Sequence, residues 1–255
     1  MKTAITKLGA ILFLLFALPL GTFAAVNFPL YLCGGAIANL KPDATVTAAL
    51  AVGDRVIWQE FDAADQPVGT ATTITVTTAG TVDNFTTPGA LSSGAHSYKV
   101  FVISAAPNTC TGDVSDPFSL YVLPTATVSL GTPSNANYCE AGGATSSSVV
   151  TATIPTLDAA IGTDITFAYN WTATKDGAAV TPVTGVGGIG TAADNVFTLS
   201  TTTTGTYKLK LAINYAPAAG VTLKSGDGNG CVVTSTESSD IKVTPKPGKP
   251  TVSFS

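Results

Sequence analysis

The stretch TCTGDVSDPFSLYVLPTATVS, residues 109–129, closes one β-rich half of the chain and opens the next. It runs from a cysteine through a short polar loop into an apolar strand, then a proline and a Thr-Val-Ser start. From Gly230 the same order returns as GCVVTSTESSDIKVTPKPGKPTVSFS. A segment that recurs with its flanks intact marks the boundary of a repeated unit.

Outward from that boundary, both halves read as strands. Before it, short alternating runs cover 45–51, 55–61, 70–78, 97–104 and 118–123, parted by clusters such as Val52-Gly53-Asp54 and Ser92-Ser93-Gly94. Such clusters are turn formers. After it, the runs are 148–154, 165–172, 195–200, 206–215 and 240–244. Ile165, Phe167, Tyr169 and Trp171 alternate with Thr166, Ala168, Asn170 and Thr172, which puts four large side chains on one face of a strand. Tyr207, Leu209, Leu211, Ile213 and Tyr215 do the same, with Lys208 and Lys210 facing out. No helical period is sustained. Two sheets burying such faces against each other make an all-β sandwich in each half.

The repeat extends to four positions taken in one order twice: Cys33, Trp58, Tyr98, Cys110 and then Cys139, Trp171, Tyr207, Cys231. Four cysteines permit three pairings. Repeat symmetry favours Cys33 with Cys110 and Cys139 with Cys231, one intradomain disulfide in each half. Zinc is the rival use of cysteine, but no two cysteines lie close in sequence and His96 is the sole histidine. No metal site is expected.

Composition and the N-terminus set the compartment. Residues 1–24 carry Lys2 and Lys7, an apolar run over 8–20 and a Thr22-Phe23-Ala24 exit, the form of a secretory signal peptide. Export agrees with disulfide formation. Charged residues are 11% of the chain, under half of the usual share of about 25%. The net charge is −4, and loss of the two leader lysines makes the mature chain more acidic, so a basic nucleic-acid footprint is absent. The expected division is signal peptide 1–24, sandwich 25–124, sandwich 125–245, and a linker with an orphan strand over 246–255.

Asn137-Tyr138-Cys139, Trp171, Gly205-Thr206-Tyr207, Gly230-Cys231 and Ile241-Lys242-Val243-Thr244-Pro245 resemble the recurring frame of immunoglobulin-like repeats in secreted surface proteins of the Bacteroidetes group. Leu32-Cys33-Gly34-Gly35 and Thr109-Cys110 match it less closely. The resemblance implies two tandem immunoglobulin-like β-sandwich domains in a secreted or cell-surface protein. Its expected role is non-enzymatic: a structural spacer, an adhesin or a filament component. Its partners would be a surface protein or glycan, further immunoglobulin-like modules or copies of itself, with no membrane span after signal cleavage. The resemblance transfers no catalytic residue and no cofactor.

His96 has no base within sequence reach and reads as a solvated turn histidine. Asp62, Asp65, Asp113 and Asp116 sit in turn-like stretches where Asp serves local backbone bonds, although a glycosidase would need two such carboxylates. Asp227 and Asn229 are spaced loosely like the start of a calcium loop but lack the later acidic ligands. The glycine-rich 185–190 lacks the following helix that a phosphate loop needs. Tyr31, Phe61, Tyr121 and Tyr138 are the aromatics whose burial the sequence leaves open, and exposed they would suit a carbohydrate-binding accessory module. The run from Val252 to Phe254 starts another strand, fit for a following domain or for addition to a neighbour's sheet.

Overall fold

A computed structural model describes residues 27–107, 109–140, 146–190, 194–226 and 231–253. Residues 1–24, expected to be a signal peptide, the calcium candidates Asp227 and Asn229, and Phe254 lie outside the described residues.

In the first half the chain forms β1 (Leu30–Cys33), β2 (Asn39–Leu40), α1 (Ala44–Ala49), β3 (Arg55–Phe61), β4 (Pro67–Thr75), β5 (Phe85–Thr86), β6 (Gly94–Ile103) and β7 (Phe118–Val122). The strands β4, β3, β6, β7 and β1 lie side by side, with β1 parallel to β7 and the other pairs antiparallel. Alternation aims Val56, Trp58, Tyr98 and Leu120 inward, onto a core shared with Leu40, Leu50 and Phe85. Among the described elements, the β2–β5 ribbon and α1 pack against this sheet through Leu40, Phe85 and Leu50. The helix replaces the strand expected over 45–51. Asp43 decides it: its carboxylate accepts from the Thr45 and Val46 N–H groups at 2.7 and 2.9 Å, so the first turn is capped. The alanines of the run then favour continuing the helix.

The second half continues with β8 (Ser129–Leu130), β9 (Asn137–Cys139), β10 (Ser148–Thr153), β11 (Ile165–Lys175), β12 (Ala178–Val180), β13 (Gly187–Ile189), β14 (Val196–Leu199), β15 (Gly205–Pro217), β16 (Leu223–Ser225), β17 (Val232–Thr234) and β18 (Ile241–Thr244). One sheet has the order β13-β14-β10-β8. The other runs β12-β11-β15-β18-β9, with β17 also on β15. That division of strands between two sheets is the immunoglobulin-like arrangement. The face predicted for β15 is buried throughout, from Tyr207 to Tyr215. Tyr207 adds the corner contact of this fold, its hydroxyl donating back to the Thr203 carbonyl at 2.9 Å.

Each half therefore has two poles. The leading pole holds the end of β6 or β15 and the start of β3 or β11; the trailing pole holds the ends of β1 and β7, or of β9 and β18. These poles overturn the expected cysteine pairing. Cys33 ends β1 at the trailing pole, whereas Cys110 lies past the end of β6, a strand of 10 residues. At about 3.3 Å per residue the two are roughly 30 Å apart, far beyond the limit of about 7 Å between bridged Cα atoms. Cys139 and Cys231 are split the same way along β15. The disulfide formed is Cys33–Cys231, with Cα atoms 5.3 Å apart, and Cys110 and Cys139 are free thiols.

Candidate functional site

The Cys33–Cys231 bridge sits where the trailing pole of the first half meets the leading pole of the second, and the sequence builds this seam from three layers. The first is backbone. β16, inserted between β15 and Cys231, adds to β1 as a parallel neighbour, pairing Tyr31, Leu32 and Cys33 with Leu223, Lys224 and Ser225. Gly226 follows at the closest approach. A Cβ there would stand 2.5 Å from the Gly34 carbonyl and 2.6 Å from the Ala36 nitrogen, so only glycine lets the chains touch.

The second layer is aromatic. Phe28, Tyr31 and Tyr121 pack with ring centroids 5.1 to 6.1 Å apart. Tyr31, Cys33, Tyr121 and Leu123 of the first half belong to one buried cluster with Trp171, Phe197 and the inward face of β15. One apolar core thus crosses the boundary.

The third layer is polar and satisfies the hydroxyls that this burial brings inside. Tyr31 donates to Asp164 Oδ2 at 2.6 Å, and the Asn27 N–H donates to the same oxygen at 2.7 Å. Tyr121 donates to Asp158 Oδ2 at 2.9 Å, and Tyr215 donates to the Pro124 carbonyl at 2.6 Å. Burial is the chief cause that pushes the Tyr121 hydroxyl up to about 12, with the Asp158 carboxylate adding to it. Tyr215 is pushed up to about 12 by burial, and Tyr31 is raised as well, by burial and then by Asp164. Asp158 is held below its ordinary value by the Ala160 N–H and the Tyr121 hydroxyl. Gly162, with φ of +58°, turns the chain here, and a Cβ on it would stand 2.6 Å from Asn27 Nδ2.

The candidate chemical residues do not converge. His96 is buried, which corrects its reading as a solvated turn residue: Nδ1 lies 2.7 Å from Glu60 Oε1 and Nε2 lies 2.8 Å from the Ser92 carbonyl. The missed partner sits on the adjacent strand β3, a cross-strand relation that linear spacing does not reveal. Both nitrogens are occupied by structural bonds. Asp62 caps its own turn through the Ala64 and Gln66 N–H groups, and Asp65 pairs with Lys99. Asp113 and Asp116 are exposed on the loop between β6 and β7. Among the described residues, no three His, Cys, Asp or Glu side chains gather as a metal cluster, and no helix is long and apolar enough to cross a membrane. Tyr31, Tyr121 and Tyr138 are buried, and Phe61 lies under the Lys99 ammonium, 4.8 Å from its ring centre.

A second feature is an open groove of about 1000 Å³ over the inner face of the first half. It exists because the facing layer is thin. Leu30, Trp58, Val102 and Phe118 form its floor, Leu40 and Val46 one wall, and Asp113 and Asp116 part of its rim. Trp58 is 4% exposed, yet its Nε1 has no acceptor. Its counterpart Trp171 donates to the Asp194 carbonyl at 2.9 Å.

No family model and no curated protein sequence matches the chain. Among solved structures, the chain is similar to the FN1-FN3 domains of chicken CNTN1, with 12% identity and a TM-score of 0.27 over 76% of this chain. It spans 55% of that chain's length. It is also similar to the tandem Ig repeats of Dlar, with 11% identity and a TM-score of 0.25 over 86% of this chain and 94% of that one. The fold assignment rests on the strand order described above and not on these overlaps.

Proposed function

We propose that this chain is a non-enzymatic spacer segment of a secreted or cell-surface protein, in which two immunoglobulin-like units are locked into one body. The observation that carries the reading is the seam. A flexible linker between independent modules would leave each with its own core and a solvated junction. Here a parallel strand, a disulfide, a shared apolar cluster and three tyrosine hydrogen bonds fix one unit on the other. Fixing orientation in this way suits a part whose task is to hold something at a set distance and angle.

The carbohydrate-binding alternative needs an aromatic platform, and Tyr31, Tyr121 and Tyr138 are buried instead. The hydrolase alternative needs two carboxylates facing each other across a cleft, and Asp62 and Asp65 are bound up in their own turns and ion pairs. The test is small-angle scattering of the purified chain with and without reductant. The spacer reading expects a single rigid envelope that fits the structure when oxidised, and no turnover of polysaccharide or glycoside substrates. A broad distribution of inter-unit angles in the oxidised protein would overturn it.

A further inference from the structure

The seam uses one trailing pole and one leading pole, so each half has a second pole turned outward. The geometry points to a head-to-tail contact in which the trailing pole of the second half docks on the leading pole of the first half of a second copy. This rests on the spacer reading and extends it to self-assembly.

Four observations carry it. The free thiols occupy the positions that the seam disulfide uses. Cys139 ends β9, which is parallel to β18, as Cys33 ends β1, which is parallel to β7. The carbonyl of Cys110 accepts from the Ser104 N–H at the end of β6 at 2.9 Å, as that of Cys231 accepts from the Tyr215 N–H near the end of β15 at 3.1 Å. The rotation and translation that bring Cys231 to Cys33 therefore bring Cys110 of a second copy to Cys139. A heterologous contact of this kind does not close on itself and propagates as a fibre unless the rotation completes a ring.

Charge is the second observation. Exposed Asp113 lies next to the leading pole and exposed Asp116 farther back along β6, with Arg55 the exposed cation at the start of β3, and the trailing pole offers exposed Lys242, Lys246 and Lys249. Asn137 and Lys242 stand where the seam has Tyr31 and Tyr121, so this contact is more polar than the seam and sensitive to salt. Third, Val52 is 60% exposed beside the start of β3 and Val114 is 54% exposed in the loop with Asp113, an apolar addition to the same surface.

The fourth is the groove. Residues 245–253 follow β18 away from the trailing pole and are exposed, Val252 at 98%. In the docked arrangement this segment faces the acidic rim of the second copy's groove, which asks for apolar side chains and for one acceptor opposite Trp58 Nε1. A backbone carbonyl supplies that acceptor for Trp171. An extended segment with Lys246, Lys249 and Val252 meets each demand.

Two measurements test the contact. Sedimentation of the purified chain is expected to show reversible, concentration-dependent growth. Raising salt, the double variant D113K/D116K, or deletion of 246–255 should each weaken growth about tenfold, the scale of several exposed charge pairs acting together. Glutathione disulfide is then added to trap neighbours. The thiols of Cys110 and Cys139 give up two electrons and two protons as their S–S bond forms, and the oxidant leaves as two glutathione thiols. A ladder of covalent oligomers carrying the Cys110–Cys139 linkage is expected. A mixture of C110S and C139S chains should stop at dimers. A chain that stays monomeric at every concentration overturns the proposal, as do Cys110–Cys110 or Cys139–Cys139 dimers alone, which signify a symmetric contact. A monomer that scatters as a rigid body would still satisfy the spacer reading, so the two proposals fail separately.

Discussion

Asp164 holds two donors on one carboxylate oxygen, from a hydroxyl and a backbone N–H of the other half, while itself 5% exposed. Tyr31→Phe removes one of them and leaves a buried acceptor short of a partner, at a cost of about 1–3 kcal/mol by chemical denaturation. A loss below a few tenths would mean that Asn27 alone satisfies the site. The raised tyrosines add a pH signature with a definite sign. Tyr121, Tyr138 and Tyr215 are each pushed up to about 12, mainly by burial, from an ordinary value of 10. Between those values the unfolded chain has released its phenolic protons while the folded one keeps them, so the folded state binds more protons. Stability is full below pH 10 and falls as pH rises towards 12, measured as a dropping melting temperature; a flat profile there would sink the assignment. At this scale the sequence showed which residues carry the repeat but not their partners. Cysteine identity was plain, whereas the pairing depends on which pole each cysteine occupies, and the poles follow from strand direction. The burial of His96 is hidden in the sequence for a related reason, since Glu60 meets it only once β3 and β6 pair.

At the scale of elements, legibility tracks length and alternation. β11 and β15 are 11 and 13 residues long with large inward side chains, and that pattern alone marks residues 165–172 and 206–215 as strands. Short elements escape such reading. β16 has 3 residues, and what makes it a strand is an edge offered by the other half. Its trace in the sequence is the long stretch between Tyr215 and Cys231. α1 is masked in the sequence because TVTAALA alternates like a strand, and the cap at Asp43 outweighs that pattern. Gly226→Ala tests the seam at this scale. The added methyl would overlap the Gly34 to Ala36 backbone, so the β16–β1 pairing must give way. The expected result is rapid amide exchange over 223–225 with β11 and β15 still protected; unchanged exchange at β16 would show that the approach is looser than described.

For the whole molecule, the disulfide outweighs any single contact. It closes 198 residues, and the chain-entropy account assigns such a loop about 5 kcal/mol. Cys33→Ser or Cys231→Ser should therefore lower stability by several kcal/mol. Cys139→Ser, at a free thiol, should lower it by less than about 1 kcal/mol. Equal losses from Cys231 and Cys139 would contradict the pairing. The all-β, repeat-like plan was legible from the alternating runs and the recurring frame, because copied segments announce themselves in one dimension. The fusion of the parts was not, because it is made by β16 and by tyrosine–aspartate pairs that lack counterparts in the other half.

Closing Cys33 onto Cys231 also decides where tension travels. A pull on residues 27 and 253 passes along β1, crosses the sulfur bond and leaves through β17 and β18, while everything between the two cysteines hangs on a slack branch. At about 3.3 to 3.6 Å per extended residue, the 198 residues enclosed amount to roughly 650 to 700 Å of hidden length. Oxidised, the covalent path between residues 27 and 253 is short and runs through β1, β17 and β18. Reduced, it becomes an extensible one, and a single sulfur–sulfur bond selects between the two.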